Sequence, residues 1–316
     1  MARDYAIYDV FTNSGLAGNP LAVVFDGAGL DDQRMQAVAR EFNLSETVFV
    51  LPPENPAHTA RIRIFTPGKE LPFAGHPTVG TAIALAERSK ESRGVDFVSV
   101  LEEKVGPVRC LIRCVPDAVS FAEFDLPKLA AQLTAEFDRQ KVADALCISA
   151  ADIGFENHRL SLWSAGVPFV MVPVRDLKIA RSIDFNALFW QKAMTAAGDR
   201  TWSAYVYCRG GEDHTAHFHA RMFSPDMGIT EDPATGGAVA AMSGAIHHFD
   251  ALGDGHHALM IEQGVEMGRA SHILLHIEAE QGKIARARIG GEAVKIATGQ
   301  LGELAFPRKI KFFTTM

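Results

Sequence analysis

One stretch of this chain occurs twice, and that doubling limits the folds open to it more than anything else in the sequence. Residues 61–87 read RIRIFTPGKELPFAGHPTVGTAIALAE. The alternation Arg61-Ile62-Arg63-Ile64-Phe65 predicts a strand that stops at the turn Thr66-Pro67-Gly68. A tight Ala74-Gly75-His76-Pro77 corner follows, and a small-residue helix is expected over residues 78–87. Its body, Val79-Gly80-Thr81-Ala82-Ile83-Ala84-Leu85, has no polar face, so the helix is expected to be buried all round. Arg221-Met222-Phe223-Ser224-Pro225 repeats Arg63-Ile64-Phe65-Thr66-Pro67 at an offset of 158. At that offset Asp232 falls on Ala74, and Asp232-Pro233-Ala234-Thr235-Gly236-Gly237 leads into a second apolar helix over residues 238–248. Gly18-Asn19-Pro20-Leu21 resembles Gly166-Val167-Pro168-Phe169 more loosely, at an offset of 148. Repeats this long are half-molecules rather than solenoid units. Each predicts a sheet wrapped on a buried helix, with a site where the two helix N-termini meet.

A chain of 316 residues that is 47% hydrophobic can bury two cores of ordinary size. Its net charge of −7, spread along the chain, argues against nucleic acid or an anionic membrane as the main partner. Cys110, Cys114, Cys147 and Cys208 form no CxxC and no metal-ligand spacing, which reads as reduced cytosolic thiols in apolar, strand-like contexts. No run approaches the roughly 20 apolar residues that span a bilayer, and the N-terminus lacks a signal-peptide run. A cytoplasmic globular protein is expected.

In chain order, strands are expected at residues 5–11 and 21–25, paired as a hairpin, and at 46–50. Asp31 should cap a helix running to about Phe42, with Met35, Val38, Ala39 and Phe42 on one face. Lys90 to Gly94 reads as a polar loop. Strands follow at 95–100, 105–114 and 119–124. An amphipathic segment at 127–142 marks the crossover, so the halves are expected to span residues 1–127 with about 299–316, and residues 128–298. The second half should hold strands at 146–148, 160–163, 169–173, 203–208, 217–223, 257–263, 273–278, 283–290 and 293–302, and a helix near 185–197.

The candidate chemistry gathers at the corners. Glu46 sits between a helix end and an apolar strand, where burial would raise its pKa into the range useful for moving protons. The alternative is a capping or solvent-facing glutamate. His76 lies at a helix N-terminus that favours its neutral form; otherwise backbone groups satisfy it. Asp232 would hold a substrate amine or orient a catalytic group, or act only as an N-cap. Thr235, Gly236 and Gly237 offer hydroxyl and backbone donors to a carboxylate, or form a plain glycine-rich turn. His217 and His219 share a strand face, but no third ligand stands at metal spacing. His247-His248 and His256-His257 read as surface. GxGxxG, Walker, GxSxG and HExxH patterns are absent, which disfavours nucleotide enzymes, α/β-hydrolases and zinc peptidases.

Taken together, Asp9-Val10-Phe11-Thr12, Gly18-Asn19-Pro20, Asn43-Leu44-Ser45-Glu46-Thr47, Glu70-Leu71-Pro72-Phe73-Ala74-Gly75-His76-Pro77-Thr78 and Glu231-Asp232-Pro233-Ala234-Thr235-Gly236 resemble the phenazine-biosynthesis PhzF-like family. Ile261-Glu262-Gln263-Gly264, Met267-Gly268-Arg269 and Gly290-Gly291 extend the likeness over nearly the whole chain. The resemblance implies the α+β fold of diaminopimelate epimerase: two pseudo-symmetric domains, each a mixed sheet or barrel around a central helix, with the active site in the cleft. It also implies Glu46 as the acid/base, with His76 and Asp232 beside it. Asn19, Gly75, Pro77, Thr78, Thr235, Gly236 and Gly237 are implied as substrate-binding positions. No metal or other cofactor, a small-molecule carboxylate substrate and a homodimer are implied in the same way. The racemases of this fold carry one thiol at each helix N-terminus. Here those positions align with Ala74 and Asp232, against two-thiol racemisation. The phenazine isomerase itself resembles DPATGS, whereas this chain has Gly237 and lacks that hydroxyl.

The expected activity is a cofactor-free isomerisation that shifts a proton and double bond on a small, cyclic or unsaturated carboxylate bearing an amine. Two rivals stand beside it: a racemase or epimerase using non-thiol bases, and a non-catalytic carboxylate-binding protein.

Overall fold

The structure, a computed structural model, describes residues 2–89, 96–114, 118–195 and 202–302. The expected loop Lys90 to Gly94, the end of the helix expected near 185–197 and the tail beyond 302 lie outside the described residues.

The first half contains β1 (Arg3–Val10), β2 (Asn19–Val24), α1 (Asp32–Phe42), β3 (Glu46–Leu51), β4 (Ala60–Phe65), β5 (Glu70–Leu71), α2 (Gly75–Arg88), β6 (Asp96–Glu103), β7 (Gly106–Arg113) and β8 (Ser120–Asp125). The second contains β9 (Ala131–Leu133), α3 (Arg139–Leu146), β10 (Ser161–Ser164), β11 (Pro168–Pro173), α4 (Leu177–Ser182), α5 (Ala187–Thr195), β12 (Ser203–Arg209), β13 (Phe218–Ser224), β14 (Ile229–Asp232), α6 (Gly236–Phe249), β15 (Gly255–Gln263) and β16 (Ser271–Glu280). The 19-residue β17 (Lys283–Leu301) closes the chain.

Strand pairing makes the internal symmetry explicit. In the first half β1 pairs antiparallel with β2, β2 parallel with β3, β3 antiparallel with β4, and β4 parallel with β6. Then β6, β7 and β8 run antiparallel, and β17 closes the ring by pairing with β8 and β1. The second half repeats the same senses through β10, β11, β12, β13, β15, β16 and β17, while β9 covers β10. Each half is therefore a mixed barrel wrapped on one helix, α2 or α6, as the doubled stretch required. A helix enclosed by a sheet can expose no polar face. Val79, Ala82 and Ile83 of α2 and Val239, Ala241, Met242 and Ile246 of α6 are accordingly buried. A fully buried Ile or Met contributes about 1.5–3 kcal/mol of transfer free energy.

The outer helices follow ordinary signals. Asp31 accepts a hydrogen bond from the Arg34 N–H to cap α1, which buries Met35, Val38 and Ala39 and ends at left-handed Asn43. α3, α4 and α5 cover the outside of the second barrel, with Trp190 at the centre of their core.

Several expectations are corrected. The central helix begins at Gly75, three residues before the expected start, because Pro77 sits inside its first turn. Residues 127–142 are not one amphipathic segment; β9 and a loop precede α3, which Asp138 caps. Residues 146–148 are the end of α3, with Cys147 in the left-handed conformation at its C-cap, rather than a strand. Cys147 is thus exposed and outside any strand, unlike buried Cys110 and Cys208. Residues 283–290 and 293–302 form the single β17, because one strand serves both barrels in turn. Helix α4 has no counterpart among the expected elements, because six residues are too few to show a helical periodicity.

The repeat register also changes at the corners. Ile64 pairs with Leu71 in the first half, and its counterpart Met222 pairs with Asp232 in the second. The turn after Pro225 is three residues longer than the one after Pro67, so beyond it the offset is 161 and ELPFAGH aligns with EDPATGG. Asp232 therefore corresponds to Leu71, not to Ala74. The true counterpart of Ala74 is Thr235, and each is the N-cap of its central helix.

Candidate active site

The two central helices meet at their N-termini through glycine. A Cβ built on Gly75 would lie 2.9 Å from the Gly236 Cα, and one on Gly236 would lie 3.1 Å from the Gly75 Cα. Neither N-cap, Ala74 or Thr235, turns a side chain back onto its helix. First-turn N–H groups have no intrahelical acceptor, so those of Gly75, His76, Gly236 and Gly237 converge as an uncapped, electropositive mouth. Pro77 has no N–H to add. The Thr78 hydroxyl faces inward, 2.7 Å from the Ala74 carbonyl.

Glu46 opens β3 directly after the left-handed turn that ends α1, and it is 8% exposed. Its Oε2 lies 3.2 Å from Nε2 of His76, itself 4% exposed. Neither atom has an aligned hydrogen-bond partner. At this distance the two would count as an ion pair, but burial opposes both charges and no third group compensates. Burial, with the field of Asp232, holds the Glu46 carboxyl well above the ordinary range. Burial brings His76 down to about 3. Both shifts favour the uncharged forms, a carboxyl facing an imidazole rather than an ion pair.

Asp232 reaches the same place from β14. Burial pushes it up to about 6, against the hydrogen bonds that favour its charged form. Asn19 Nδ2 donates to its Oδ1 at 3.0 Å and to the Ala234 carbonyl at 2.9 Å, and the Thr235 hydroxyl donates to its Oδ2. The Glu46 and Asp232 carboxyls thus differ: two donors let Asp232 ionise first, and Glu46 keeps its proton.

Glu46, His76, Asp232, Asn19, Thr235 and the glycines of both corners come together at the junction of the two halves. A model of phenazine biosynthesis-like proteins matches residues 8–299. The chain belongs to this family. Its PhzF-like character extends to individual relatives. A protein of Mesorhizobium japonicum named as an uncharacterized isomerase is 56% identical over 300 residues, covering 95% of this chain and 98% of its own. The trans-2,3-dihydro-3-hydroxyanthranilate isomerase of Pseudomonas fluorescens is 33% identical over 305 residues, covering 95% and 99%. Among solved structures, the PhzF-family phenazine biosynthesis protein of Bacillus anthracis superimposes with a TM-score of 0.84 at 26% identity, over 95% of this chain and 99% of that one. This PhzF-like protein is an isomerase.

The PhzF-like site also uses residues that local sequence did not single out. Gln263 Nε2 donates to the Asp232 carbonyl at 2.7 Å and to the Thr235 hydroxyl at 3.0 Å. Its Oε1 accepts from the Thr235 N–H at 3.2 Å and from the Tyr205 hydroxyl at 3.1 Å. Gln263 therefore fixes the corner that carries Asp232, and its only sequence signal was a place in the Ile261-Glu262-Gln263-Gly264 match. Arg269 clamps the loop before Asn19, bonding Asp9 and the Ala17 and Gly18 carbonyls. His219 is buried between Glu262 and Glu266, at 2.6 and 2.9 Å, which raises its pKa despite desolvation. It lies apart from the site, and His217 instead accepts the Met260 N–H. Of the histidine pairs expected at the surface, His248 and His256 are exposed, and His247 and His257 are half-buried.

Proposed function

We propose that this isomerase shifts a proton, and with it a double bond, on a small amino-bearing carboxylate by glutamate acid/base catalysis, without a cofactor. The observation that carries the reading is the buried Glu46 carboxyl, 3.2 Å from His76 Nε2 and beside two uncapped helix N-termini. The substrate carboxylate sits on the N–H groups of Gly75, His76, Gly236 and Gly237, where the helix dipoles favour its charge. Glu46 donates its proton to one end of the unsaturated system. The resulting carboxylate removes a proton from the other end, the double bond moves between them, and Glu46 is reset. His76, neutral, stands 3.2 Å from the Glu46 carboxyl and positions the substrate against it. Asp232, ionised and held by Asn19 and Thr235, holds the amine. The substrate named for the Pseudomonas relative, a small cyclic unsaturated amino acid, is of the class this site fits. Gly237 leaves open the place of a hydroxyl donor, with only the Phe169 ring about 4 Å from a Cβ there.

The test is a screen of small amino carboxylates in D2O, read by proton NMR. Deuterium incorporation with double-bond movement, lost in Glu46→Gln, supports the reading. Scrambled stereochemistry without bond movement would establish epimerisation instead. Binding without exchange in any substrate would end the catalytic reading.

A further inference from the structure

We infer that Glu103, at the end of β6, is a positioning residue that works as a neutral acid, and that its proton keeps the mouth of α2 able to bind an anion. Strand alternation turns Ser99, Leu101 and Glu103 into the barrel, and Glu103 is 8% exposed beneath the first turn of α2. The argument for its proton is a count. The Thr78 Oγ1 lies 2.7 Å from Glu103 Oε1 and 2.7 Å from the Ala74 carbonyl oxygen. Both separations are those of hydrogen bonds, yet a hydroxyl carries one proton. The Ala74 oxygen can only accept, so the arrangement that gives each short contact its own proton has Thr78 donating to Ala74 and Glu103 donating to Thr78. The result is a relay from the Glu103 O–H to Thr78 and on to the carbonyl of the N-cap residue.

The surroundings offer an ionised carboxylate nothing. Glu103 Oε2 is buried with no partner, and no cation pairs with Glu103 among the described residues. Three elements pack on β6. From α2 comes Thr78, which carries no charge. From β7 comes Cys110, whose thiol is pushed up by burial and by this same carboxyl. On β4, Arg61 and Arg63 point to the opposite face and are committed to Glu54, Glu70 and Asp32. Burial accordingly pushes Glu103 up to about 8.

Loss of that proton has two effects at the site. It places an unpaired negative charge under N–H groups that await an anion, and it draws the Thr78 hydroxyl away from Ala74. Substrate carboxylate affinity then falls on the alkaline side with the titration of a residue outside the site. This rests on the proposal that the helix mouths hold the carboxylate.

Two measurements separate this inference from that proposal. Inorganic sulfate, whose charge is constant from about pH 7 to about pH 9.5, is titrated into the wild type and Glu103→Gln by calorimetry. Glutamine keeps a neutral donor toward Thr78 and cannot ionise. Wild-type affinity should fall about tenfold across this range, the effect of one like charge brought near an anion site, while the variant changes little. Infrared difference spectra, wild type against Glu103→Gln, should show at pH 7 a protonated carboxyl stretch beyond that of Glu46, which the variant lacks and which is bleached on raising the pH. If the glutamine variant misfolds, Thr78→Val serves: it should weaken sulfate at pH 7 yet retain the alkaline fall. An equal fall in wild type and Glu103→Gln, or no protonated stretch at pH 7 that Glu103→Gln removes, overturns the inference. A protonated stretch in a protein that binds no sulfate at pH 7 overturns the helix-mouth site, and the linkage with it.

Discussion

The contact between Gly75 and Gly236 gives a prediction in which helix propensity and packing point in opposite directions. Replacing glycine by alanine inside a helix ordinarily stabilises by about 0.5–1 kcal/mol. At Gly75 the new Cβ would meet the Gly236 Cα at 2.9 Å and the Gly236 carbonyl carbon at 3.2 Å, where carbon pairs prefer about 3.5–4.0 Å. Both atoms are backbone, in a turn tied down by Gln263 to Thr235 and by Asn19 to Ala234. No rotamer change relieves the clash, so the helices must part. Overpacking of this kind costs about 1–3 kcal/mol, and, less the helix gain, Gly75→Ala should lose about 1 kcal/mol net. At Gly237, one residue along the opposite helix, the nearest atoms are Phe169 ring carbons at 3.9 and 4.0 Å. Gly237→Ala should be neutral or gain up to about 1 kcal/mol. Urea unfolding followed by circular dichroism, compared at equal m-value, measures both. If Gly75→Ala proves as stable as Gly237→Ala, the helix mouths do not abut and the shared site loses its basis.

Glu46→Gln should lower turnover by about 10²–10⁴-fold with an unchanged unfolding midpoint; near-normal rates in folded protein would remove Glu46 from the mechanism. Iodoacetamide should label exposed Cys147 first and leave activity intact, since burial pushes Cys208 up to about 12 and Cys110 higher still. Inactivation in step with labelling of one cysteine, with circular dichroism unchanged, would refute this. Glu103, at about 8 against an ordinary 4.5, keeps in the fold a proton that the unfolded chain releases, so its contribution to stability declines as pH rises from about 4.5 to about 8. Glu103→Gln should therefore gain on the wild type by a few kcal/mol, at most ~4, between pH 5 and pH 8; parallel stability curves would show that Glu103 is ionised in the fold.

The sequence by itself determined the architecture of this protein, because the doubled strand–turn–helix stretch admits few structures. An apolar helix with no polar face must be enclosed, and two such helices, each led in by a strand that carries arginine, call for two enclosing sheets. The candidate site residues proposed here were legible locally as well: Glu46 stands at the boundary between α1 and β3, and His76 and Asp232 stand in corners marked by their residue types. The pairing that closes each barrel was decided only by the tertiary structure. β17 serves both barrels in succession, and nothing local marks the point at which a strand changes partner. The correspondence of the two corners was likewise settled by strand register, since a turn three residues longer keeps the chemistry of EDPATGG while displacing it from the repeat. Gln263 and Glu103 lie on strand ends and act through partners 28 and 25 residues away. Their roles depend on which face of the barrel each side chain enters and on the absence of a neighbouring cation. Burial sets both, and burial is a property of the closed fold rather than of any segment.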